Sequence, residues 1–467
     1  MKALSKRHRK KVLALACLSA LPFALHCTAV ESGRETPPAV RIPAGQVERP
    51  APELATFGDS YVRTRGALLE VGLRGTPEVI GYSHSRLLYP AMVENEGILL
   101  ARFDDQVPSR LLKTVLLDLA QLRYRNVDRG LSPERLQEIA AGALGFQPDP
   151  YEDLFPTYQR FLYLNALYDI ALSFEESPLI GCTSFTFKGA AAAGGGAILA
   201  RAFDFEVDDI FDRKKAVFFV REEGKIPFAS VAWPGLVGVV SGMNSEGLAV
   251  VVHGARAGEP RTEGEPVVHS LRRILSDARD VREALVKLEA RPPLVSHLLV
   301  LADRSGETVA VERVPGAPSH VRRLPPAAVV TNHLEGPSAG DPKNQRVRER
   351  TSTLSRRDRG DELVQGVTGV NVERAVSFLR DREGARGEKL PLGDRRAIDA
   401  LIATHGVVMQ TEERALWVSE APHLLGRFVR FDLTRMLAPD YDPREPTDLP
   451  TLPADPLLDD AEFRARR

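Results

Sequence analysis

A change of texture at Gly181 constrains this chain more than any other feature. Upstream, residues 57–181 carry apolar residues at helical spacing, as in Leu111, Leu112, Val115, Leu116, Leu119 and Leu122. Pro133 to Leu144 predicts a further helix with Ser132 as its N-cap, and Tyr158 to Leu172 another. Downstream, short β-type runs bounded by glycine take over: 183–187, 197–205, 215–221, 226–233, 237–241 and 248–253. Two helices follow, at 267–278 and 281–288, the second opened by Asp280 and Glu283 in a capping-box-like pattern. Strands return at 297–303, 308–314 and 328–331, then helices at 351–357, 372–380 and 394–403. The last predicted strands are 406–410, 414–418 and 427–431. Strands, helices and strands again predict an α+β fold of sheets layered with helices, not a barrel or an alternating βαβ chain.

The ends differ from this body. Six basic residues between Lys2 and Lys11 precede an apolar run from Val12 to Leu25 and the small residues after Cys27. That pattern predicts an export signal over residues 1–29. The run falls short of the roughly 20 apolar residues a membrane span needs. The expected location is therefore secreted or periplasmic, with a lipid anchor on Cys27 as the second reading. Residues 30–56, rich in Pro, Glu, Gly and Arg, are expected to form a flexible leader, and the Pro- and Asp-rich residues 436–467 a loose tail. With 62 basic against 63 acidic residues, there is no basic excess to recommend a nucleic-acid partner.

Export makes the cysteines informative. The chain has three: Cys17, Cys27 and Cys182. Removal of residues 1–29 would leave Cys182 alone, unable to form an internal disulfide, hence either an inert buried thiol or a reactive one. The Ala- and Gly-rich stretch 189–196 lacks the Gly-Lys-Ser/Thr ending of a phosphate loop. No His/Cys/Asp/Glu spacing suggests zinc, and no acidic loop suggests calcium, so neither metal nor cofactor is expected.

Five pieces in order carry a family resemblance. They are Gly75-Thr76-Pro77-Glu78-Val79-Ile80-Gly81-Tyr82, then Gly181-Cys182-Thr183-Ser184-Phe185 with Arg201-Ala202-Phe203-Asp204-Phe205. Ser241-Gly242-Met243-Asn244-Ser245-Glu246-Gly247-Leu248, Thr331-Asn332-His333 and Ser352-Thr353-Leu354-Ser355-Arg356 complete the set. Together they resemble the peptidase C45 family, which includes penicillin acyltransferases, and more distantly bile-salt hydrolases and acid ceramidase-type amidases. The resemblance implies a four-layer αββα N-terminal-nucleophile fold over residues 182–435. It also implies self-cleavage between Gly181 and Cys182, and two chains that stay associated. Asp204 is then expected to anchor the new amine, Arg201 to favour thiolate, and Asn332 and Asn244 to serve the oxyanion. Arg356 would be the site arginine, with Arg346 and Arg350 as rivals for that place. Ala202 departs from the family's Arg-Asn-x-Asp, which removes whatever that Asn side chain does.

The chemistry can also be argued directly. A free thiol titrates near pH 8.5, so little thiolate exists at neutrality. If Cys182 begins a chain, its own α-amine, with a pKa of about 8, can act as its base. Gly181, lacking a Cβ, leaves its carbonyl open to the Cys182 sulfur. The substrate expected is a small N-acyl amide or amphipathic lipid amide; the alternatives are acyl transfer within the same family, or a secreted binding protein that kept the fold without activity. A papain-like pairing of Cys182 with His253, His297, His333 or His405 has no supporting motif.

Overall fold

The computed structural model describes residues 21–173, 180–205, 209–445 and 449–466. Residues 1–20, most of the expected export signal, lie outside this set. The strands are β1 (Glu48–Ala51), β2 (Leu54–Phe57), β3 (Ser60–Arg65), β4 (Leu68–Gly75), β5 (Ile180–Lys188) and β6 (Ala197–Phe205). Next come β7 (Ala216–Glu222), β8 (Phe228–Ala232), β9 (Ser241–Asn244), β10 (Ala249–Gly254), β11 (His297–Ala302) and β12 (Thr308–Arg313). The last are β13 (His320–Arg323), β14 (Ala327–Val330), β15 (Ala403–Gln410), β16 (Ala415–Ser419), β17 (Phe428–Asp432) and β18 (Thr451–Leu452). They form two sheets, ordered β1-β2-β3-β4-β7-β8-β9-β10-β11-β12-β13 and β14-β5-β6-β15-β16-β17-β18.

Alternation along the strands decides the layering, because successive side chains of a strand face opposite sides. In β6, Ala197 and Leu199 pack with Val251, Leu298, Val300 and Met409 in an apolar layer between the sheets. Ile198, Ala200 and Ala202 face the other way, against Ala375, Phe378 and Leu379 of the helix Val372–Leu379. The larger sheet turns its outer face to the helices Pro77–Gln106, Pro133–Gly145 and Val267–Asp277, with Val71, Val250, Ile80, Ile139 and Leu271 in one core. The order is therefore helix, sheet, sheet, helix. Gly81 lets the first two of these helices meet, since a Cβ there would fall 1.9 Å from the Glu138 carbonyl oxygen.

Several expectations need correction. In the segment 57–181 the helices begin at Pro77, but it opens with β3 and β4, and β4 pairs in parallel with β7 from Leu69↔Ala216 to Gly75↔Glu222. The leader 30–56 contributes β1 and β2, with Leu54 and Ala55 buried. The tail 436–467 is tied down too: Leu452 pairs with Phe428, and the Tyr441 hydroxyl donates to Glu70 at 2.8 Å. Residues 394–403 are not helical. The helix Arg110–Tyr124 forms as spaced, yet Leu111, Leu112, Leu116 and Leu119 are exposed and its buried face carries Asp118, Gln121 and Tyr124. No helix among the described residues is long and apolar enough to cross a membrane.

Candidate active site

Cys182 sits near the start of β5, in register with Phe203 of β6 and fully buried. Register partners share a face, so the thiol, Phe203 and, two residues away, Arg201 all point into the layer between the sheets. Arg201 Nη2 lies 3.2 Å from Cys182 Sγ. Its remaining bonds fix the guanidinium: Nη1 donates to the Val240 carbonyl at 2.9 Å and to Ser241 Oγ, and Nη2 to the Val252 carbonyl at 2.5 Å. The ring of Phe203 lies 4.2 Å from its charged centre. Arg201 makes no ion pair with a carboxylate among the described residues. A fully buried cation held by neutral carbonyls and a π face stabilises an anion placed beside it. Burial pushes the Cys182 thiol up, and Arg201 pulls it back by charge and hydrogen bond.

The opposite face carries Asp204, paired with Gly181. A single β-bulge lies here, in β15 between Ala403 and His405, so β6 stays regular and Arg201 and Asp204 remain on opposite sides. Asp204 thus flanks the peptide before Cys182: a Cβ on Gly181 would stand 3.1 Å from Asp204 Oδ2. A side chain at 181 would press on the Asp204 carboxylate, and no unusual backbone angle is involved. Burial raises Asp204 to about 6, against the pull of Arg356.

Asn332 follows β14, whose pairing with β5 ends at Val330↔Ser184. Its side chain continues the ladder where the strand stops: Cys182 N donates to Asn332 Oδ1 at 2.8 Å. Arg356 Nη2 donates to the same oxygen at 2.9 Å, and Asn332 Nδ2 donates to the Gly254 carbonyl at 3.0 Å. Because a guanidinium only donates, the amide orientation is determined. The geometry therefore sets Asn332 on the backbone nitrogen of Cys182, with one of its N–H groups given to Gly254. Arg356, on the helix Thr353–Val364, also donates through Nη1 to the Cys182 carbonyl at 2.5 Å and to Thr183 Oγ1 at 2.8 Å. Arg350 is exposed and Arg346 half-buried on the preceding helix, so Arg356 is the arginine that meets Cys182.

Asn244 is not brought here. Its Nδ2 donates to the carbonyls of Leu275 and Ala278, and its Oδ1 accepts from Glu246 N and Leu248 N. All four positions are spent, two on its own turn and two on the C-terminal end of the helix Val267–Asp277. His253 and His405 flank the site without touching the sulfur. His253 Nε2 lies 2.7 Å from Ser184 Oγ, and His405 Nε2 3.0 Å from Ser241 Oγ while stacking on Phe203. Burial and the charge of Arg201 hold both imidazoles well below the usual range.

Two residues had no sequence signal. Tyr168, on the helix Leu167–Leu172, stacks with Phe203 at 6.3 Å between ring centres, and its buried hydroxyl has no partner among the described residues. Burial and the Cys182 charge hold its proton firmly. Asn95, on the helix Pro77–Gln106, is the second, and it too is buried without a partner among the described residues. Tyr168, Phe203 and Val240 form one wall of an apolar cavity of about 100 Å³ that reaches between the helices of the first segment and Trp233. No group of three or more metal-ligating side chains occurs among the described residues.

An uncharacterized protein of Archaeoglobus fulgidus is 23% identical over 266 residues, covering 52% of this chain and 43% of that relative. This chain thus spans less than half of the relative's length. Among solved structures, a Caenorhabditis elegans N-acylethanolamine-hydrolyzing acid amidase ortholog is 16% identical, with a TM-score of 0.37 over 50% of this chain and 93% of that one. Penicillin V acylase from Agrobacterium tumefaciens is 17% identical, with a TM-score of 0.36 over 54% and 92%. A mutant conjugated bile acid hydrolase from Clostridium perfringens is 10% identical, with a TM-score of 0.36 over 59% and 97%. Likeness at this level fixes no residue's role. The family model for acyl-coenzyme A:6-aminopenicillanic acid acyl-transferase matches residues 192–389, the span that holds Arg201, Asp204, Asn332 and Arg356. Over residues 192–389, the chain is similar to the acyl-coenzyme A:6-aminopenicillanic acid acyl-transferase family.

Proposed function

We propose that this chain is an exported amide hydrolase that cuts itself between Gly181 and Cys182 and then works through a thioester on Cys182. The family likeness supports amide hydrolysis or acyl transfer. The observation that carries the finer reading is the junction of thiol, backbone nitrogen and two arginines at one residue.

In self-cleavage the Cys182 sulfur attacks the Gly181 carbonyl carbon. The Gly181–Cys182 C–N bond breaks, the nitrogen takes up a proton, and the acyl group rests on sulfur as a thioester. Water then releases Gly181 as a carboxylate. The freed amine keeps Asn332 Oδ1 as its acceptor, with Arg356 holding that oxygen in place.

In turnover the amine takes the thiol proton, and the thiolate, facing Arg201, attacks the substrate's amide carbon. The ammonium returns the proton to the leaving amine, and water hydrolyses the thioester. One Asn332 N–H is already given to Gly254, and the unpartnered Tyr168 hydroxyl is the donor we assign to the developing oxyanion. The apolar cavity beside it suits the hydrocarbon part of an N-acyl amide. Incubation of the processed protein with a panel of N-acyl amides, read by mass spectrometry, should release the free acid and amine. A Cys182→Ala protein that still releases them would sink this reading.

A further inference from the structure

Apolar side chains make up most of the cavity, among them Met92, Leu99, Phe161, Phe205, Phe211 and Trp233. Its polar groups are nearly all spent. Asn165 donates to the Phe161 and Gly235 carbonyls and accepts from Val237 N; Trp233 Nε1 donates to the Phe211 carbonyl; Glu96 pairs with Arg160. Asn95 differs. It lines the cavity from the helix Pro77–Gln106, is 4% exposed, and has no partner for either Oδ1 or Nδ2 among the described residues.

A buried amide with neither atom paired is costly in a protein that has no use for it, and a leucine of similar size would fill the same space. Both a donor and an acceptor stand ready among side chains that are mostly hydrocarbon, apart from the Tyr168 hydroxyl already assigned to the oxyanion. We infer that Asn95 reads a polar group on the apolar part of the ligand: a hydroxyl, oxo or amide group within an otherwise hydrocarbon acyl chain. The inference rests on the cavity being the acyl site of the proposed hydrolase. It adds a substrate class: hydroxy-, oxo- or amide-substituted N-acyl amides in preference to plain ones. A site built to hydrogen-bond such a group rejects the analogue that lacks it, because its own amide is then left unpaired.

The test compares N-acyl amides of equal chain length, plain or carrying a hydroxyl or oxo group at successive positions. The processed protein should show kcat/KM at least about tenfold higher for one substituted position. Asn95→Leu, which removes the unpaired amide at similar volume, should abolish that preference; Asn95→Ala provides a second variant. A wild type that favours the plain substrate, or an Asn95→Leu protein with unchanged preference, overturns the inference. Calorimetric binding of the matching substituted and plain acids to Cys182→Ala protein separates this from the hydrolase reading. Preferential binding without turnover in wild type sinks the hydrolase and keeps Asn95 as the reader. Equal binding of the two acids sinks the role of Asn95.

Discussion

At the scale of single residues, the site is a division of labour across one strand. The thiol of Cys182 faces Arg201 between the sheets, while its carbonyl and nitrogen meet Arg356 and Asn332. Arg201 is the residue whose loss should speak most clearly. Removing a cation beside a thiol raises the pH at which thiolate forms. Arg201→Leu should therefore shift the pH profile of Cys182 alkylation upward and lower amidase kcat by about 100-fold or more. An unchanged profile would leave Arg201 a packing residue. The motifs made Cys182, Arg201, Asp204, Asn332 and Arg356 legible as site candidates. They could not reveal that Asn332 points its oxygen at the Cys182 nitrogen, because that depends on where β14 ends. Tyr168 and Asn95 were illegible for a different reason. What distinguishes them is the lack of a partner among the described residues, and only a packed structure displays that.

At the scale of elements, a buried neutral histidine ties a helix to the loop between β8 and β9. His84, on the helix Pro77–Gln106, accepts the Gly235 N–H at 2.9 Å, which requires an unprotonated Nε2. Burial, with the charge of Arg272, lowers His84 to about 3; burial beside Arg135 and Arg272 lowers His269 to about 3, and burial lowers His333 to about 4. A histidine whose folded pKa lies below its unfolded value of about 6.5 contributes stability that is complete above that value and lost as pH falls toward the folded one. Urea unfolding should thus show stability declining from about pH 6.5 toward about pH 4, with a shallower decline in His84→Gln. Identical slopes in the two proteins would remove His84 from the account. Most strands after Gly181 were legible because their β-branched and aromatic runs are bounded by glycine, but β13 and β18 were not. Strands β1 to β4 were not: β1 carries Arg49 and Pro50, β2 has only four residues, and β4 depends on a parallel partner far along the chain.

At the scale of the molecule, the first segment is part of the fold and not an appendage to be shed. β4 lies inside the larger sheet beside β7. Arg135 and Glu138 of the first segment join Glu222 and Arg272 in a buried ion network, with Arg272 3.1 Å from Glu138 and 3.2 Å from Glu222. The cavity is shared in the same way, with Asn95 and Tyr168 from the first segment and Phe203 and Trp233 from the second. After cleavage the two chains should elute as one species on size exclusion and part only in denaturant; separation under native conditions would contradict the shared sheet. The central claim is that Cys182 becomes a chain terminus by its own chemistry. N-terminal sequencing of the protein after denaturing electrophoresis tests it most directly. The account predicts a larger fragment beginning at Cys182 in wild type and an intact chain in Cys182→Ala. A wild-type chain uncut before Cys182, or a Cys182→Ala chain cut there, would contradict it.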